Sequence, residues 1–372
     1  VKLLNNSEFV AALNSSIAQA KRRALIQVMT FDGDASGLAV ADLLTQAISR
    51  GVDVRLLIDC FALRYVSDRR ASHHEVRAEA AETAAMFERL RQAGATVTFT
   101  QPWGPLMLFG LNRNHKKLYV IDDHAYVGGI NISDHNFTWP DFMVRIEDPD
   151  VVTALTDDFA STEQGKRSSV NTHIITNRTI EPVFTKLVTE AKQSVILASP
   201  YALDIGVVNL LKNSPATSRT VITAQENNYR WLRAAEPYLW YRLSRCGVTL
   251  RTYREFFHLR FLLVDDNKLL VGSLNFNRHS LRCNQELGML IDDPTFIVDF
   301  KSRILADVEP LNLNGLVQRR CIGRAGAWLV AHFFSGVIVR VAQWMAPFAP
   351  VIARRQNIKQ RIKAEPPMPI GP

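Results

Sequence analysis

The chain of 372 residues is 47% hydrophobic and 22% charged, a balance that supplies a sizeable core and excludes disorder over the whole length. A formal net charge of +8 favours an anionic partner without choosing among nucleic acid, an anionic membrane surface and a phosphate-bearing substrate. The four cysteines, Cys60, Cys246, Cys283 and Cys321, form neither a CxxC pair nor the Cys and His alternation of a zinc site, so free thiols in a reducing compartment are expected.

In chain order, residues 8–23 read as an amphipathic helix without the long apolar run of a secretory signal, and the protein is expected on the cytoplasmic side. ALIQVMTF (24–31) is continuous in apolar and β-branched residues, the pattern of a buried parallel strand. The loop FDGDASG, a helix over 38–51, a strand over 52–60, a charged helical stretch from about Ser67 to Gly94 and a strand over 95–101 complete a βαβαβ alternation.

The second half repeats this order, with strand 194–201, short helix 207–213, strand 218–225, a helix from about Tyr229 to Cys246 and strand 248–253. Both halves then reach a similar segment, HKKLYVIDDHAYVGGIN (115–131) and HLRFLLVDDNKLLVGSLN (258–275), and a repeat of this length is not chance. The expected fold is α/β: two similar lobes, residues 1–165 and 166–312, with mixed, largely parallel sheets around one central active site, followed by an apolar segment and basic tail over 313–372. Within the last part, residues 322–352 are strongly apolar between RRCIGR and ARRQNIKQRIK. His332 and Arg340 interrupt the run, so an interfacial or re-entrant membrane segment is expected before a full span, with a core helix packed on the lobes as the alternative. The tail after Arg354, basic and then Pro-rich, is expected to be mobile.

Chemistry concentrates in the repeated segments. His115, Lys117 and Asp122 stand in the spacing HxKxxxxD, followed by Gly128, Gly129 and Asn131; His258, Arg260 and Asp265 give HxRxxxxD, followed by Gly272, Ser273 and Asn275. On an extended chain, residues two apart share a face, so each histidine and its cation can converge on one phosphate. Cleaving a phosphodiester takes a nucleophile, cations for the non-bridging oxygens and an acid for the leaving alkoxide, and two such motifs supply all three. An imidazole serves better when a carboxylate holds its other nitrogen. Alignment of the halves suggests Asp141, which follows His115, and Glu286, which follows His258. Asn131 and Asn275 are candidate donors to phosphate oxygens, and Gly129 and Ser273 mark turns of close backbone approach. For Asp122 and Asp265 a turn-organising role competes with a catalytic one. His73, His74, His124, His135, His173, His279 and His332 lack comparable context and receive no role.

At these residues the sequence resembles the phospholipase D superfamily, whose hallmark is the duplicated HKD motif, and within it bacterial cardiolipin synthases and related phosphatidyltransferases. The likeness runs over about residues 1–310 and includes AKRRALIQVMTF, SRGVDVRLLIDC, HKKLYVIDDHAYVGGINISD and GSLNFNRHSLRCNQE. It implies a two-lobed α/β fold, no metal or other cofactor, a phosphohistidine intermediate, and transfer of a phosphatidyl group from an anionic, phosphatidylglycerol-like phospholipid at a membrane surface, with nucleic acid not expected as partner. By the same resemblance His115 is favoured as nucleophile and His258 as acid and base. This chain departs from the family in four ways: Arg260 replaces a lysine, the interval from Asp122 to Asn131 is one residue shorter than from Asp265 to Asn275, His279 stands where an arginine is frequent, and the apolar segment follows the lobes rather than preceding them. Alternatives are a hydrolase of the same chemistry acting on phospholipid or nucleic acid, and a non-catalytic lipid-binding membrane protein.

Overall fold

Strand β1 (Lys2–Asn5) leads into helix α1 (Asn6–Gln19), whose start is fixed by a capping box in which Asn5 and Glu8 satisfy each other's backbone N–H. The apolar runs that follow become β2 (Arg23–Val28), β3 (Asp53–Asp59) and β4 (Thr96–Thr100), joined by α2 (Ala35–Ser49) and α3 (His73–Ala93). The chain then turns back through β5 (Leu118–Ile121), β6 (His124–Gly128), α4 (Asp134–Thr138) and β7 (Phe142–Ile146), and α5 (Pro149–Glu163) closes the half. The computed structural model describes residues 1–63, 73–167, 173–201, 204–224, 230–253, 255–311 and 324–353. The expected helix start at Ser67, Cys321 and the tail from Arg354 lie outside those residues.

The second half runs β8 (Ile175–Thr176), α6 (Ile180–Glu190), β9 (Ser194–Ser199), α7 (Ile205–Lys212), β10 (Ser218–Thr223), α8 (Arg230–Arg245), β11 (Thr249–Thr252), β12 (Phe261–Val264), β13 (Lys268–Gly272), α9 (Arg278–Cys283), β14 (Leu287–Ile291), α10 (Pro294–Ile304) and β15 (Glu309–Pro310). Two sheets result, ordered β1-β7-β6-β5-β2-β3-β4 and β15-β11-β10-β9-β12-β13-β14-β8. The stretch 7-6-5-2-3-4 of one matches 14-13-12-9-10-11 of the other, which is the internal repeat in three dimensions. The sheets are mixed, as expected, but not largely parallel: only β2–β3, β3–β4, β9–β10 and β10–β11 run parallel, and the remaining pairs are antiparallel. Parallel neighbours need a helical crossover, and each half has two, whereas the motif strands return through hairpins.

Three apolar cores explain the stacking of the layers. One joins β2–β4 to α1, α2 and α3, and another joins β9–β11 to α6, α7 and α8. Between the sheets lies a shared core to which α5 and α10 contribute Leu155, Phe159, Phe296 and Phe300. Phe300 touches both sheets, its ring centroid 5.2 Å from Phe142 and 4.9 Å from Phe261. The two halves therefore bury their inner sheet faces against one another, and truncating so central a ring costs about 3–5 kcal/mol.

The C-terminal apolar segment forms helix α11 (Arg324–Phe333), a π turn over Phe334–Ile338 and helix α12 (Val339–Met345), followed by a 3-10 turn over Ala346–Phe348. His332 and Arg340 do not break it, and Gly326–Phe348 forms a stretch of 23 residues long and apolar enough to cross a membrane by length and composition alone. One face packs on the second half: Ala331 joins its core, and the rings of His332 and Tyr238 stand 5.9 Å apart. Beyond it, Gln101 donates to the Val351 carbonyl at 2.9 Å and Ala353 to Phe99 at 2.8 Å, so residues 351–353 run along the end of β4.

Candidate active site

β5 runs antiparallel to β2 with Gln27 opposite Leu118, which puts the residues just before β5 at the carboxyl end of the parallel strands, where ligands of open α/β sheets bind. His115 and Lys117 stand there. Lys116, between them, points the other way and pairs with Asp158 at 2.8 Å in the buried layer beneath. β12 runs antiparallel to β9 in the same manner, with Phe261 opposite Ala198, and it places His258 and Arg260 at the matching end of the second sheet.

Each histidine is held from the opposite half. The His115 backbone N–H donates to the Gln285 carbonyl, and the His258 N–H donates to Pro140, both at 2.9 Å. Each acceptor precedes a carboxylate, so His115 Nδ1 meets Glu286 Oε2 and His258 Nδ1 meets Asp141 Oδ2, both at 3.0 Å. Alignment of the halves pairs Asp141 with His115 and Glu286 with His258; the structure exchanges them. The reason is register: Asn114 bridges Gln285 in parallel across the lobe boundary, which carries the end of each motif onto the turn of the other half.

All four catalytic-type side chains are buried in one cluster, and their charges act on one another. Burial pushes the His115 imidazole down to about 4, helped by the charges of Lys117 and Arg260 and opposed by Glu286. His258 is driven well below its ordinary value by burial and by Arg260, Lys117 and His115. Lys117 donates to the His115 carbonyl at 2.7 Å, and burial together with the Arg260 charge presses its ammonium well below the usual lysine range. Arg260 donates through Nε to Asn275 Oδ1 at 2.6 Å, and its other nitrogens lie against the His258 ring, one of them on Nε2. With Nδ1–H directed to Asp141, that contact makes Nε2 of His258 the acceptor, a tautomer assigned from its partners. Among the described residues no hydrogen bond reaches Nε2 of His115.

The carboxylates differ as well. Burial raises Asp141 to about 7 against Arg260 and the Phe142 N–H. Burial also works to raise Glu286, but the His115 contact, Lys117 and the Ser273 hydroxyl outweigh it and leave the group below its ordinary value. Ser280 donates to the other Glu286 oxygen at 2.5 Å.

Several expected site residues serve the frame instead. Asp122 accepts from the backbone N–H groups of Lys21, Arg22 and Arg23, and Asp265 from Lys192, Gln193 and Ser194. Both sit in the left-handed region, at φ 48° and 49°, in the turns at the far end of their hairpins. At ~3.3 Å per residue, seven residues carry Asp122 about 20 Å from His115. Of the two roles expected for these aspartates, the structure gives the turn-organising one and places neither at the phosphate site. The shorter lobe-one interval is a tighter hairpin loop, Asp122–Asp123 against Asp265–Asn267. Asn131 accepts from Met29 and gives its amide to Asn136 at 3.3 Å, so it braces β2 rather than offering a donor to phosphate. Asn275 orients Arg260. Gly129 does permit a close approach, but by protein: a Cβ there would stand 2.3 Å from Asp141 Oδ2 and 2.9 Å from an Arg260 nitrogen.

Residues without a sequence signal line the second histidine. Trp139 lies between His135, tilted against it, and Phe256, edge-on, each ring 4.6 Å away, and reaches His258 at 5.7 Å; Tyr201 meets His258 edge-on at 6.4 Å. Asp32, Asp34 and His135 bring ligand-type atoms within 4.8 Å of one another nearby, yet Asp34 accepts from Gly37 and Asp134, and His135 is bonded to Ser133 and Asn136.

Residues 13–162 and 184–307 match the family described as cardiolipin synthase, phospholipase D-like domain. The chain belongs to that family. It is 26% identical over 340 residues to cardiolipin synthase A of Pseudomonas syringae pv. syringae (strain B728a), covering 82% of this chain and 67% of the relative. Minor cardiolipin synthase ClsB of Bacillus subtilis (strain 168) is 24% identical over 358 residues, covering 87% of this chain and 85% of the relative. Among solved structures, phosphatidylserine synthase of Haemophilus influenzae Rd KW20 superposes with a TM-score of 0.70 at 13% identity over 93% of this chain and 94% of that one. Polyphosphate kinase from Porphyromonas gingivalis gives 0.57 at 12% identity over 86% and 54%. The structures share the fold; family membership makes this chain a phospholipase D-like phosphodiester transferase of phosphatidyltransferase type, an enzyme that processes phospholipids.

Proposed function

We propose that the chain synthesises cardiolipin or a close relative by moving a phosphatidyl group from an anionic donor such as phosphatidylglycerol to a lipid alcohol, through a phosphohistidine. The observation that supports this most is the crossed pair of histidine and carboxylate, with Lys117 and Arg260 in the same buried cluster. Nε2 of His115, open where that of His258 is covered by Arg260, attacks phosphorus. As Arg260 turns from the His258 ring onto the phosphate, Nε2 of His258 takes a proton from solvent, and the bond to the departing glycerol oxygen breaks as His258 passes that proton to it. The acceptor hydroxyl then loses its proton to His258 and attacks phosphorus, and the P–N bond to His115 breaks. Lys117 and Arg260 meet the charge on the phosphoryl oxygens, and the anionic phosphodiester in turn raises the depressed affinity of both imidazoles for a proton. In this reading residues 1–165 and 166–312 each supply one motif, and 313–372 hold the site at the cytoplasmic face of a membrane.

Purified protein mixed with phosphatidylglycerol vesicles is expected to form cardiolipin and glycerol, followed by mass spectrometry, and His115→Ala to abolish the product. Absence of product from the wild-type protein, or undiminished product from the variant, overturns the proposal.

A further inference from the structure

The C-terminal helical segment inverts the usual arrangement of a surface helix. Its packed face is mostly of small residues, Ala327, Ala331, Ala342 and Ala346, joined by Val339 and Met345, while the aromatic side chains Trp328, Phe333, Trp344 and Phe348 are exposed. Phe333 and Val337 are about half exposed, and Trp344 and Phe348 are 70% and 64% exposed, all within one stripe at helical spacing. The packed face is engaged along its length: Ala331 on the second lobe, Val339 at Cys283, and Ala342, whose carbonyl accepts from the Asn112 amide. A helix fixed sideways on the protein in this way cannot enter a bilayer end-on. Arg340, exposed on the same outer face, fits a position where its head can reach water.

A second, separate feature stands beside it. Leu106, 93% exposed, and Leu108 lie in the loop that leads from β4 to His115, and Leu106 and Met107 hold left-handed φ angles of 48° and 59°, rare for side chains of this bulk. That loop is tied to the C-terminal segment at both ends, by Gln101 to Val351 and by Asn112 to Ala342. At its far side Arg113 is stacked 4.4 Å over Trp103 and paired with Asp59 at 2.9 Å, two residues before His115. Exposed apolar side chains on two elements linked in this way mark a partner surface.

We infer that the outer face of Gly326–Phe348 and the Leu106–Leu108 loop form one docking surface that lies in the headgroup region of an anionic phospholipid bilayer, without spanning it, and sets the entrance to His115 at that bilayer. The inference rests on the reading that the substrate is a phospholipid. A bilayer is favoured over a protein partner by charge: the net charge is +8, and the apolar stretch is flanked in sequence by Arg319 and Arg320 on one side and Arg354 and Arg355 on the other.

The full chain is tested by cosedimentation with vesicles of phosphatidylglycerol and phosphatidylcholine, and of phosphatidylcholine alone. The wild type is expected to bind the anionic vesicles preferentially and to release in high salt. The pairs Leu106→Asp with Leu108→Asp, and Trp344→Asp with Phe348→Asp, are each expected to weaken binding by roughly tenfold or more, with unchanged thermal unfolding and unchanged turnover of a short-chain phosphatidylglycerol dissolved as monomers. Variants that sediment like the wild type overturn the inference, as does a wild-type dimer in solution that both pairs convert to monomer. Vesicle binding without product would leave this surface standing and remove the proposed reaction; product without vesicle binding would do the reverse.

Discussion

The two histidines descend from one repeated pattern, yet the carboxylates behind them are kept in different states. Glu286 receives the hydroxyls of Ser273 and Ser280 and stays below the ordinary range of a glutamate. Asp141 is equally buried, takes one backbone N–H from Phe142 besides its histidine, and rises to about 7. The position of Ser273 is occupied in the first half by Gly129, where any side chain would collide with Asp141. One small residue thus separates two sites that the fold makes equivalent: His115 is backed by a settled negative charge, and His258 by a group that titrates near neutrality. The cations differ in the same sense, since among the described residues Lys117 donates to the His115 main chain while Arg260 lies on the ring of His258.

The largest expected effect breaks both sides of this comparison. Glu286→Gln and Asp141→Asn should each lower kcat on the order of 10²–10⁴-fold, because a neutral amide neither fixes the tautomer nor stabilises an imidazolium. They should differ in pH dependence. The Asp141 carboxyl is raised, so it loses its proton as pH rises through about 7, and kcat/KM should climb across that window in the wild type and in Glu286→Gln but not in Asp141→Asn. Identical profiles for the two variants, measured from pH 5 to 9, would dissolve the distinction.

A smaller effect should come from making the halves alike. Ser273→Gly removes one charge-assisted hydrogen bond, worth about 1.5–3 kcal/mol, and should raise Glu286 and reduce kcat by roughly 10–100-fold. Steady-state rates with unaltered melting would check that the loss is local.

The smallest effect on turnover belongs to the turn aspartates. Asp122→Ala and Asp265→Ala should leave kcat near wild type and lower the melting temperature by about 1–3 °C each, read by thermal unfolding beside the rate assay. A large fall in kcat from either would return these residues to the chemistry.

Much of the site was legible because it is local. The spacing of His115 to Lys117 and of His258 to Arg260 carries its own geometry, since an extended chain alternates faces whatever surrounds it. The same holds for the βαβαβ order, written in apolar runs and polar helices. The exchange of Asp141 and Glu286 was not legible, because it depends on how Asn114 and Gln285 align across the lobe boundary, a contact between residues far apart in sequence. Trp139 and Tyr201 near His258 obey no period and carry no spacing signal. The outward stripe at Phe333, Val337 and Trp344 needed the structure too: composition gave an apolar segment, but which of its faces is covered is decided by α8 and α9.

The exchange of partners also says what a single half is worth. Taken alone, either lobe would present an imidazole with nothing behind it and a carboxylate with nothing to hold, so neither contains half of the activity. Reactivity here belongs to the seam. Any change that lets the two sheets drift apart, including one deep under Phe300 and far from any phosphate, will register first as lost catalysis and only afterwards as lost folding.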